Sequence, residues 1–88
     1  MNLYEILIPI NDNEGVPFSD EHNEQFYDYV IDLAGGLSIW PELPELKMVP
    51  LRIACDNETF EQIVPRARND FRQLSIMSRV VSNEVHFL

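Results

Sequence analysis

Two adjacent glycines, Gly35 and Gly36, constrain this chain more than any other feature. They follow a run from Ser19 in which Phe26, Tyr29, Val30, Leu33 and Ala34 fall on one face of a helix. A glycine has no Cβ, so either one can take the left-handed conformation that closes a helix. Leu37, Ile39 and Trp40 then resume an apolar run. A helix that stops and turns at once into a strand is therefore expected over Ser19 to Trp40. Either Ser19 or Asp20 caps its start. Asp20, Glu21 and Glu24 lie near that end, where negative charge is favourable. Phosphate loops place glycines before a helix, so this pair, which follows one, reads as a stop signal.

The flanking segments extend the pattern. In residues 2–10, Tyr4, Ile6, Ile8 and Ile10 share one side, and Leu3, Glu5, Leu7 and Pro9 share the other. Apolar residues on both sides predict a central strand, with regular pairing failing near Pro9. Asn11 to Gly15 reads as a turn. Pro41 and Pro44 stiffen a loop, and Leu43 and Leu46 are expected to fold it back onto the core. Residues 48–55 form a strand with Val49, Leu51, Ile53 and Cys55 on one face. Pro50 predicts that this strand begins at an edge or a bulge. Asp56 or Asn57 caps a second helix carrying Phe60, Ile63, Val64, Ala67 and Phe71 on its inner face. Pro65 is expected to kink or divide it.

Leu74 to Val81 is a further strand. Beyond it, Ser82-Asn83 is either a tight turn into a last strand, Glu84 to Leu88, or part of one bulged extension. The resulting order predicts an α+β fold of ferredoxin-like type. In that arrangement a βαββαβ chain packs two helices on one face of an antiparallel sheet, here as a single domain over residues 1–88. Phe26, Val30, Leu33, Phe60, Ile63, Val64, Ala67 and Phe71 are expected to be mostly buried.

Charge narrows the functional classes. Fifteen acidic residues against six basic ones give a net charge of −9. Such a chain is not expected to bind nucleic acid through phosphates or to adsorb to an anionic membrane. It is expected to attract a protein partner with a basic surface. The single cysteine, Cys55, cannot form an internal disulfide, which suits a cytoplasmic location. No signal-peptide pattern is read at the N-terminus, and no apolar run approaches the length of a membrane span.

The candidate binding residues are Glu21, His22, Glu24, Tyr27 and Trp40. His22 and Glu24 do not share a helical face, and Asp12 to Gly15 lacks the ligand spacing of a calcium loop. No metal or cofactor is expected. Cys55 ends a strand immediately before a helix and reads as a small buried hydrophobe. No stretch carries a nucleophile–base or nucleotide signature. The leading reading is a small acidic, non-enzymatic binding or inhibitory module acting on a protein. The other is a ligand-binding protein or enzyme with a pocket near His22. A homodimer through the final strand or the sheet face is also expected.

YEILIPINDNEG, then His22 and Phe26, then Gly35 to Ile39, resemble a group of small prokaryotic and phage proteins without assigned activity. The resemblance covers about the first forty residues, and more loosely MVPLRIAC and the tail. Members of that group carry a longer segment with Gly-x-Trp before the next strand. Here Trp40 to Pro44 makes a shorter connection, so a site on the longer segment is not expected to carry over. The resemblance implies the fold and no activity.

Overall fold

A computed structural model of the chain describes residues 1–82. The expected Glu84 to Leu88 strand and the Ser82-Asn83 turn beyond Ser82 lie outside those residues. The elements are β1 (Asn2–Pro9), α1 (Asp20–Ala34), β2 (Ser38–Ile39), β3 (Met48–Cys55), α2 (Asn57–Asp70) and β4 (Met77–Ser82). The strands form one antiparallel sheet in the order β2-β3-β1-β4. This is the ferredoxin-like arrangement, with β1 and β3 in the middle.

One face of the sheet is covered. Tyr4, Ile6, Ile8, Leu51, Ile53 and Cys55 are buried against Phe26 and Val30 of α1 and against Phe60, Ile63 and Ala67 of α2. All of them belong to one cluster, which puts both helices on the same side. The Tyr4 and Phe60 rings stack at 3.9 Å. At the far end Phe71 is fully enclosed by the rings of Phe18, His22 and Phe26.

Local chemistry explains the boundaries. The Ser19 hydroxyl accepts from the His22 N–H, and Asp56 accepts from the Thr59 N–H, so each side chain satisfies a donor that its helix start leaves free. Gly35 closes α1 with φ 86°, and its N–H donates to the Ile31 carbonyl at 2.8 Å. Gly36 has no such angle. A Cβ built on either glycine meets nothing within 4 Å, so the difference between them is purely one of backbone conformation. Gly35→Val is expected to cost about 1–2 kcal/mol, the penalty of the left-handed region for a side-chain-bearing residue. Gly36→Val should cost much less. Urea melts of the two variants check this, and equal midpoints would remove the helix-stop argument.

Several expectations are corrected. Leu33 is not buried but 37% exposed. The buried line of α1 runs Phe26, Val30, Ala34 at four-residue steps, and Leu33 falls beside it. Leu43 and Leu46 are exposed rather than folded onto the core. A tight backbone turn closing Leu43 onto Met48 holds them out at the rim. β3 lies between β2 and β1, but β2 pairs only with Leu51 and Arg52, so the first residues of β3 have a strand of the sheet on the β1 side alone. Pro50 is tolerated there because its nitrogen faces the β2 side, past the end of the β2 pairing, between the Trp40 N–H bonded to the Pro50 carbonyl and the Leu43–Met48 bridge.

Pro65 lies within α2 without dividing it, and it is exposed on the solvent side. β4 starts at Met77 rather than Leu74 and runs through Ser82. Arg72 adopts φ 53° just after α2, which turns the chain away and leaves Leu74 entirely exposed.

Candidate functional site

The candidate residues divide between two layers. Glu21, His22, Glu24 and Tyr27 all lie on α1, on the helical side of the sheet. Trp40 follows β2 and stacks on Arg52, whose guanidinium carbon is 4.3 Å from the ring centroid. Arg52 pairs with Glu5, which alternates with the buried Tyr4 and Ile6 and so projects from the opposite face. The fold does not bring Trp40 to the α1 residues.

His22 is tied into the structure. Its ring stacks on Phe18 at 4.9 Å and meets Phe71 edge-on. Nε2–H donates to the Asp70 carbonyl at 2.6 Å, joining α1 to the end of α2. A carbonyl can only accept, so Nε2 is the donor of this contact. Glu21 and Glu24 are exposed, and Tyr27 is half-buried. Burial, and then the charge of Asp20, push the Tyr27 hydroxyl above its ordinary pKa. Among the described residues, no three His, Cys, Asp or Glu side chains converge on a point that could hold a metal. No described helix is long and apolar enough to cross a membrane.

Cys55 is 3% exposed on the helical side of β3. Burial first, and then Asp56, raise its thiol pKa. Iodoacetamide in native buffer is therefore expected to leave Cys55 unmodified, with labelling appearing only on unfolding. Rapid native labelling would show a reactive thiolate instead.

The most organised surface is the open face of the sheet. There Glu5 accepts from Arg52 Nε at 3.0 Å and from Arg79 Nε at 2.9 Å. Trp40, Arg52, Glu5 and Arg79 make a continuous stripe across β2's end, β3, β1 and β4. Burial pushes the Glu5 carboxyl up, but hydrogen bonds from Arg79 and Arg52, then their charges, outweigh it and hold its pKa below the ordinary value. The stripe itself walls a groove of about 400 Å³, completed by Pro41, Glu42, Leu43 and Pro50. Leu3, Leu7, Ala54 and Met77 share this face, with Met77 62% exposed. Apart from the loop at residues 40–46, no described element covers it.

Trp40 was legible as a candidate. Glu5, Arg52 and Arg79 were not singled out, because their meeting depends on strand register. The available signal was a lone charge on the outer side of each apolar strand. No family model, curated protein or solved structure matches this chain.

Proposed function

We propose that this protein is a small non-catalytic binding module that docks a protein on the open face of its sheet. One observation carries the reading: the exposed acids of α1 crowd the helical side, while on the open face the acid at the centre is paired with arginines among exposed apolar side chains. The exposed side of α1 bears Glu21, Glu24, Asp28 and Asp32, and that helix contains no lysine or arginine. The open face instead presents Met77, Trp40 and the half-buried Leu3 and Leu7, and its one central acid is neutralised by two arginines. Exposed apolar side chains with an aromatic and arginines at the centre are the composition of a protein interface. The acidic layer behind it attracts a basic partner surface at long range.

Tagged protein and two variants, captured from lysate of the native host, test this. Binding of a stoichiometric protein should survive Glu24→Lys and be lost with Met77→Glu. Retention by a folded Met77→Glu variant would place the contact elsewhere.

A further inference from the structure

We infer that the occupant of the open face is a second copy of this chain, packed sheet to sheet about a twofold axis. This rests on the docking reading above and names the partner. Both remaining ways of pairing two copies bring like charge together. Joining them edge to edge through β4 would set the helical layers side by side on one face, and α1 carries five acids and no base. Joining them helix to helix would face two layers that are acidic on balance, because the acids of α1 and α2 outnumber the two bases, Arg66 and Arg68 of α2.

Sheet-to-sheet packing does the reverse. With layers about 10 Å apart, the two helical layers end up separated by roughly 30 Å, with both sheets between them. At physiological salt, charges are screened beyond about 8 Å, so repulsion at that separation is nearly extinguished. The surfaces that do meet hold Glu5, which already accepts from Arg52 and Arg79, and Glu42 in the groove beside Trp40, so two bases face two acids there.

The area is adequate for a modest dimer. The four strands contain 2, 8, 8 and 6 residues. At about 3.4 Å along and 4.8 Å across per residue, they present roughly 400 Å² in projection per copy. Side-chain relief and the Trp40 loop bring the total buried by two copies to the lower end of stable interfaces, about 1,000–1,200 Å². The dimer leaves both acidic layers outward, where a basic surface can still reach them.

Trp40 is the only tryptophan and lies on the proposed interface, so it reports contact without any mutation. Sedimentation equilibrium from about 1 to 200 μM should show the mass rising to twice the 10.3 kDa of one chain. Trp40 emission should move to shorter wavelength over the same range. Met77→Glu, present twice in a twofold interface, should raise the dissociation constant about 100-fold or more. Glu24→Lys should leave the dimer intact.

A single-chain mass throughout overturns the inference. So does a dimer whose Trp40 emission does not move, or one that survives in folded Met77→Glu. A monomer that still captures another protein through Met77 would leave the docking reading standing without this partner. A monomer that captures none would remove both.

Discussion

Phe71→Ala is expected to lower the unfolding free energy by about 3–5 kcal/mol, the range for truncating a fully enclosed aromatic ring. Phe71 is 0% exposed and meets the rings of Phe18, His22 and Phe26 at 5.1, 5.5 and 5.3 Å, each close to edge-on. These contacts join the entry to α1, its first turns and the end of α2. Removing the ring leaves a cavity where both helices anchor, and the neighbours are aromatic and cannot collapse into it without losing their own geometry. Total stability for a domain this size is about 5–10 kcal/mol, so much of it would go. Guanidinium unfolding of the two proteins measures the effect. A loss under about 1 kcal/mol would mean that the end of α2 is not anchored in this way.

The second large effect is electrostatic. Glu5→Gln keeps the shape but leaves Arg52 and Arg79 facing each other without the carboxylate between them. The Glu5 side chain is 13% exposed, but Arg79 is 64% exposed, so solvent screening reduces the cost to about 1–2 kcal/mol. The pH dependence has a definite sign. The folded pKa of Glu5 is lowered from the ordinary 4.5, so its stabilisation is fully present above that value. It is lost as pH falls through the lower, folded value. The stability gap between wild type and Glu5→Gln should hold constant from neutral pH down to about 5, then narrow progressively below 4.5. Urea titrations across that range give the gap. A gap that widened in acid would contradict the pairing.

The helices were largely readable because their signals are local. Phe26 and Val30 recur at four-residue steps, Ser19 caps, and Gly35 stops. The same was true of the central strand, whose apolar residues occur on both sides of the backbone. What resisted reading depends on distant partners. Leu33 fits a helical period but falls past the reach of the sheet. Pro50 signals an edge, but that the edge is only local, where β2 ends beside a central strand, depends on the length of β2. The stripe of Trp40, Arg52, Glu5 and Arg79 exists only once three registers are set, each by residues far apart in the chain. His22 drew notice as a chemical group, but its ring is spent on packing and its Nε2 proton on a carbonyl.

The central position of β1 has a consequence for how the chain acquires its structure. β1 is made before β3 and β4, yet Tyr4 pairs with Ile53 on one side and Val80 on the other. Among the described residues, the only pairing between strands adjacent in sequence, β2 with β3, spans two residues. Closure of long loops must therefore precede any substantial sheet, which slows folding relative to chains of local contacts. Throughout synthesis, LYEILIPI stays an unsatisfied strand, apolar on both sides and ready to pair with the same segment of a neighbouring chain. Glu5 interrupts that run, Pro9 ends it, and the mutual repulsion of strongly acidic chains holds neighbours apart until β3 and β4 arrive to claim it.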